Sequence, residues 1–352
     1  LNDMIDRDEL AVIKTLPKVE LHRHLEGAVR LHTLLEIARE FALDIPAYTP
    51  EVLRPLVQMM PGQPRTAQQF LSKFRLLRSF YRTPNLISRI AREAVEDAAA
   101  DNVHYMELRF TPKALSAAAN LSFDQVIGLV CDAVGQAAAD AGIRVRLIVS
   151  MNRHESVELG EQTLQAALVH RDKGIVGVDL AGNEAEFSAA PFGAIFAAAR
   201  DAGLGVTIHA GEWAGSESVR IAVELLNAQR IGHGVRLDGD RELVALLVEQ
   251  GTVLETCPMS NVLSGVVSDL SAHPLRDLTS QGLYTTLNTD DPSVCNVTLS
   301  EEIAGAVAAG LLNLSDIEAY TLRAAQAAFL PVDERDELVT WLRSRYAAAN
   351  VG

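Results

Sequence analysis

The chain has little cysteine. Cys131, Cys257 and Cys295 are the only three in 352 residues. They are too scattered for a disulfide framework and form no Cys-x-x-Cys metal knuckle, which suits a reducing compartment. Basic charge is also in deficit: 31 Lys+Arg against 46 Asp+Glu leave 31 − 46 = −15. A chain this acidic is a poor ligand for a phosphate backbone, so nucleic acid is not expected as a partner. Long apolar runs are missing. The longest weakly polar one, Ile303–Leu312, is far short of a membrane span, and Leu1–Asp8 carries no apolar segment of the leader kind. A cytoplasmic protein without membrane contact is therefore expected. No Pro/Gly/Ser linker, repeat or charge block divides residues 1–352, so a single domain is expected.

What is present is the composition of a large soluble core, with 48% hydrophobic and 22% charged residues. At this mass a folded surface of roughly 14,000 Å² is expected. Short β-branched runs alternate with helical patterns. The runs are Lys18–His22, Val103–Phe110, Ile143–Ser150, Ile175–Leu180, Gly205–His209, Arg230–Gly232, Thr252–Thr256 and Tyr284–Asn288. Ala-rich helical stretches such as Phe192–Ala202, Glu217–Asn227 and Arg241–Gln250 lie between them. Eight strand–helix units predict an α/β fold, a (β/α)₈ TIM-type barrel. No Gly-x-Gly-x-x-Gly follows the first strand, which argues against a dinucleotide-binding sheet. The long gap after strand one carries helical patterns at Leu31–Phe41 and Ala67–Phe80. Residues 31–100 are read as an inserted helical lid over the barrel mouth.

In such barrels the chemistry lies at the C-terminal strand ends. Strand one ends in His22-Arg23-His24, whose two imidazoles share one side of the strand while Arg23 points away as a structural ion-pair partner. Strand five ends in His209-Ala210-Gly211-Glu212, strand six in Gly232-His233-Gly234, and strand eight in Asp290-Asp291-Pro292. A barrel brings these ends into one ring. Three imidazoles and one carboxylate suit a borderline divalent ion, zinc above all. One imidazole and two carboxylates then remain for proton transfer and orientation, the equipment of metal-assisted hydrolysis. The other histidines, His32, His104, His154, His170 and His273, are read as structural, with His154 alone near enough to a strand end to reach the mouth.

At these residues the sequence strongly resembles the adenosine deaminase family of the amidohydrolase superfamily. The likeness runs through Leu16–Gly27, Asp179–Glu184, His209–Glu212, Arg230–Gly234, Cys257–Asn261 and Asn288–Pro292, with softer matches at Gln69–Phe74 and Met106–Pro112. The resemblance implies one Zn²⁺ per chain held by His22, His24, His209 and Asp290. It implies that water adds to C6 of a purine, that Glu212 gives a proton to N1, and that His233 orients the water and helps deprotonate it. Asp291 would hold that water or the purine N7, the Gly182 amide would bind N3, and His24, Glu26, Phe70 and Phe74 would border the substrate. The expected reaction is deamination of adenosine or 2′-deoxyadenosine to inosine-type product and ammonia. The alternative is adenine or a modified adenosine such as 6-aminodeoxyfutalosine. Two departures bear on this choice: Glu26 stands where family adenosine deaminases usually carry Asp, and Asn183 where Asp is common. The fourth strand carries no lysine at its end, which favours one metal over two.

Overall fold

The computed structural model describes residues 5–349, so Leu1–Met4 of the stretch read above for a leader lie outside the described residues. Eight strands form one all-parallel sheet in sequence order: β1 Lys18–His24, β2 Val103–Phe110, β3 Arg144–Asn152, β4 Ile175–Ala181, β5 Gly205–Ala210, β6 Arg230–His233, β7 Val253–Thr256 and β8 Tyr284–Leu287. The accessible surface is 14216 Å². The seam between β8 and β1 is stitched just beyond the end of β8. His24 N–H donates to Asp290 O at 2.8 Å, Asp290 N–H to His22 O at 3.0 Å, and Leu21 N–H to the Asn288 side chain at 2.8 Å. Closing the barrel thus presses Asp290 against the two histidines of β1.

Alternation along each strand separates two environments. Leu108, Val178, Leu180, Val206, Ile208, Ile231 and Leu254 belong to the apolar layer shared with the outer helices. The opposite positions meet across the barrel: Arg109 of β2 reaches Glu255 of β7 at 2.7 Å, and Arg230 of β6 pairs with Glu107 of β2 and, at 2.6 Å, with Glu255. The contacts from β2 to β6 and β7, strands that are not its neighbours, run through the interior. The barrel centre is therefore a buried ion network, in which every charge has an opposite neighbour.

Between β1 and β2 lie helices at Leu31–Glu40, Pro50–Val57 and Ala67–Leu77, the last extended by a 3₁₀ turn to Phe80. Phe70, Leu71, Phe74, Arg75 and Arg78 from this stretch line a cavity at the barrel mouth. The helix Pro84–Ala100 instead packs on the barrel's flank against Phe123–Ala141. The helical pattern over Glu217–Asn227 becomes a short α-helix, Ser216–Arg220, that widens into a π-helical turn at Ile221–Leu225. Among the described residues no single helix is long and apolar enough to cross a membrane.

Candidate active site

At the top of β1, His22 and His24 face inward two residues apart. His22 places Nδ1 2.8 Å from Glu255 Oε2 on β7, and His209, near the end of β5, places Nδ1 2.9 Å from Asp179 Oδ1 on β4. Each carboxylate holds the Nδ1 proton, so both rings turn an Nε2 lone pair to the centre. There His22 Nε2 lies 3.1 Å from Asp290 Oδ1, while His24 Nε2 lies 3.3 Å from the same oxygen and 3.2 Å from His209 Nε2. One ligand atom from each of His22, His24, His209 and Asp290 falls within 4.8 Å of all the others. His22 Nε2 is buried with no hydrogen-bond partner. Three nitrogens and one carboxylate oxygen crowded together out of water repel one another unless a cation sits among them. The donor set and the orphaned nitrogen fit zinc.

Backbone strain marks the same residues. His233 ends β6 at φ 64°, and Asp290 sits at φ 62°. Non-glycine residues in this left-handed region carry about 1 kcal/mol of strain or more. Gly232 lets β6 approach the histidines: a Cβ there would stand 3.0 Å from His22 Cε1 and 3.2 Å from His209 Cα.

Around the cluster lie the remaining acid–base groups. Glu212 Oε2 is 3.5 Å from His233 Nε2, and His233 Nε2 is 4.0 Å from Asp290 Oδ2. Burial, then the charges of Asp290, Glu184 and Asp291, push the Glu212 carboxyl well above its ordinary range, which favours its protonated form. The neighbouring aspartates divide. Burial opposes ionisation of Asp290, but hydrogen bonds from His22 and His24 outweigh it and hold its pKa well down. Burial and the charges of Asp290 and Glu26 push Asp291 well up. Burial lowers His209 to about 4, which favours its neutral form.

A cavity of about 420 Å³ opens beside these groups, the size of a small-molecule site. It is bordered by His24, Glu26, Phe70, Phe74, Gly182, His209, Glu212, His233, Asp290 and Asp291, and His154 reaches it as well. His22 is buried behind this wall. Phe70 and Phe74 stand with ring centroids 6.2 Å apart. Glu26 takes the Thr111 N–H on Oε1 at 2.9 Å and leaves Oε2 buried without a partner; Asp291 Oδ1 is unpartnered too. Asn183 faces its own loop, accepting the Ala185 N–H at 3.1 Å. Arg23, as its alternation predicts, turns from the histidines to Glu20 at 3.4 Å.

Three supporting carboxylates were not picked out from sequence. Asp179 and Glu255 orient His209 and His22. Glu184 accepts the backbone N–H groups of Gly211, Glu212, Trp213 and Ala214 and the Ser218 hydroxyl, at 2.5 to 3.0 Å. The available signal was the cost of burying a carboxylate inside an apolar strand, as in Val178-Asp179-Leu180 and Leu254-Glu255-Thr256.

The profile of the family described as adenosine deaminase matches residues 17–344. An adenosine deaminase of Escherichia coli O1:K1 is 38% identical over 92% of this chain and 97% of its own length. Among solved structures, an amidohydrolase from Burkholderia ambifaria with bound Zn is 26% identical at a TM-score of 0.86, covering 98% of this chain and 94% of its own. The N6-methyl-AMP deaminase of Arabidopsis thaliana is 30% identical at a TM-score of 0.82, covering 95% and 98%.

Proposed function

Because the chain belongs to the adenosine deaminase family, a family of zinc-dependent C–N hydrolases, we propose that it converts adenosine and 2′-deoxyadenosine to inosine-type products and ammonia. His22, His24, His209 and Asp290 hold the zinc. What zinc supplies there is Lewis acidity, which makes water a competent nucleophile near neutral pH. The chain's own groups do the rest. Protonated Glu212 passes its proton to the purine N1, making C6 electron-poor as the water oxygen adds; of the two protons that water gives up, one goes to the C6 amino group, which leaves as ammonia when the C6–N bond breaks, and the other restores Glu212. His233 orients the water beside Asp290. Asp291, its pKa pushed up by burial and then by the charge of Asp290, donates to N7, and the Gly182 amide donates to N3. The free Glu26 oxygen accepts from the sugar, over which Phe70 and Phe74 close.

The observation that carries this reading is the pairing of a cation-seeking cluster with a buried carboxyl, Glu212, whose pKa is pushed up, on the same cavity wall. A second reading has its own support. Arg75 and Arg78 border the cavity without an ion-pair partner among the described residues, and Arg78 Nε is buried with no hydrogen bond. Two free guanidinium groups in a chain of net charge −15 favour a 6-aminopurine nucleoside bearing an anion beyond the sugar, either a phosphate or a carboxylate as in 6-aminodeoxyfutalosine. An ultraviolet assay of adenosine, 2′-deoxyadenosine, adenine, AMP and 6-aminodeoxyfutalosine decides. Highest kcat/KM on the two plain nucleosides upholds the first reading; preference for AMP or 6-aminodeoxyfutalosine, lost in Arg78→Ala, replaces it with the second. Glu212→Gln should retain zinc and lose on the order of 10³-fold in rate. Unchanged turnover removes Glu212 from the mechanism.

A further inference from the structure

His273 was read from sequence as structural, yet it is buried and stands at the end of a short chain of hydrogen bonds that leads into the site. The chain begins at a donor whose identity is fixed. The backbone N–H of Leu275, first residue of the helix Leu275–Ser280, donates to His273 Nδ1 at 3.1 Å. Nδ1 is therefore an acceptor. Burial holds His273 at about 3, so its ring is neutral and its one proton is on Nε2. That N–H lies 3.1 Å from Asn261 Oδ1 and donates to it. The amide of Asn261 is thereby oriented, because the opposite orientation would set its NH₂ against the Nε2 proton. Its Nδ2 then faces His233 Nδ1 at 3.1 Å and donates. Accepting that bond on Nδ1, His233 carries its proton on Nε2, the nitrogen that looks toward Glu212 and Asp290.

We propose that His273 is a positioning residue for the deamination: acting through Asn261, it fixes the tautomer of His233 so that an N–H, not a lone pair, faces the reacting water. This rests on the reading of His233 given above and changes one part of it. With its proton on Nε2, His233 enters as a hydrogen-bond donor to the water oxygen, where the family resemblance implied a group that also takes a proton. Without His273 the Asn261 amide has no fixed partner, can rotate, and lets both tautomers of His233 coexist.

Two substitutions separate this role from simple capping of the Leu275 helix. His273→Asn keeps an acceptor near the old Nδ1 for the Leu275 N–H but has no donor at the Nε2 position. His273→Gln can place a donor there and abandons the cap. In the full-length zinc-loaded protein, His273→Asn should keep its zinc and its KM but lose kcat by on the order of 10-fold to 10²-fold, while His273→Gln retains most of it. Two-bond ¹H–¹⁵N spectra of the histidine-labelled protein read the tautomer directly, with the His233 signals assigned by their absence in His233→Gln. Wild type should show His233 protonated on Nε2, and His273→Asn a mixture of both forms. A His233 proton on Nδ1 in wild type overturns the proposal, as does a His273→Asn protein with wild-type kcat and an unchanged His233 spectrum. Should the wild type fail to turn over any 6-aminopurine, the functional reading falls, and the tautomer measurement still decides this one.

Discussion

Glu184→Gln should disable the enzyme without touching substrate or metal. The Glu184 carboxylate sits in a nest of four consecutive backbone amides, Gly211 to Ala214, plus the Ser218 hydroxyl. Gly211 makes the turn at φ 67°. Glutamine can present its oxygen to three of the amides, but its NH₂ then faces the Gly211 N–H donor to donor. Hydrogen bonds to a charged acceptor are each worth about 1 kcal/mol more than those to a neutral one. Losing one bond outright and the charge from the others weakens the loop by roughly 3–5 kcal/mol. That loop carries Glu212, and a carboxyl displaced by a fraction of an ångström should cost on the order of 10²-fold in kcat/KM. A second effect is electrostatic. The charge of Glu184 is among the causes, after burial and Asp290, that hold the Glu212 carboxyl up. The active form of Glu212 is the protonated one, present below its raised pKa and lost as pH rises through it. Removing the neighbouring charge lowers that pKa, so the alkaline limb of the rate profile should move to lower pH. Loss of adenosine absorbance followed across pH, with zinc content measured in parallel, tests both. A variant with full zinc, kcat/KM within about twofold of wild type and an unmoved alkaline limb refutes the argument.

The barrel was legible because strands buried on both faces read as short apolar runs, and each run found here overlaps an observed strand. Their ends were less so. β1, β3, β4, β5 and β6 run one or two residues further than their apolar stretches, since hydrogen-bonded pairing continues into the residues at the mouth. The four-residue β6, β7 and β8 show how little hydrophobic signal a strand needs once it is central. The clustering of these histidines was legible for a related reason: period-two alternation gives the side of the strand on which His22, His24 and His209 lie. It does not give their partners across the barrel. Glu255 lies 233 residues from His22, and His209 is oriented from a neighbouring strand, so no local pattern connects them. Glu184 and His273 escaped because each acts through another group. One holds backbone amides and the other an amide side chain, and neither function has a spacing.

Gly27→Ala should abolish activity in a folded protein, because the new Cβ would stand 1.9 Å from Asp291 Oδ1 and 2.5 Å from its Cγ. Asp291 must then move and carry Asp290 with it; a variant with normal kcat and one zinc per chain would show that the loop yields at no cost. Glu302 offers a stability test remote from substrate. It is buried, its Oε1 accepts the Met259 N–H at 2.7 Å, and burial raises its pKa to about 8. In the unfolded chain the same group ionises near 4.5. Its neutral form therefore favours the fold fully below about pH 4.5, and that contribution drains away as pH rises to about 8, above which the fold must bury a charge. Glu302→Gln can keep the acceptor and removes the titration. Relative to wild type it should gain on the order of a few kcal/mol between pH 5 and pH 9. Urea midpoints at the two pH values measure this, and a wild-type-minus-variant difference that does not change with pH means that Glu302 is ionised in the fold throughout.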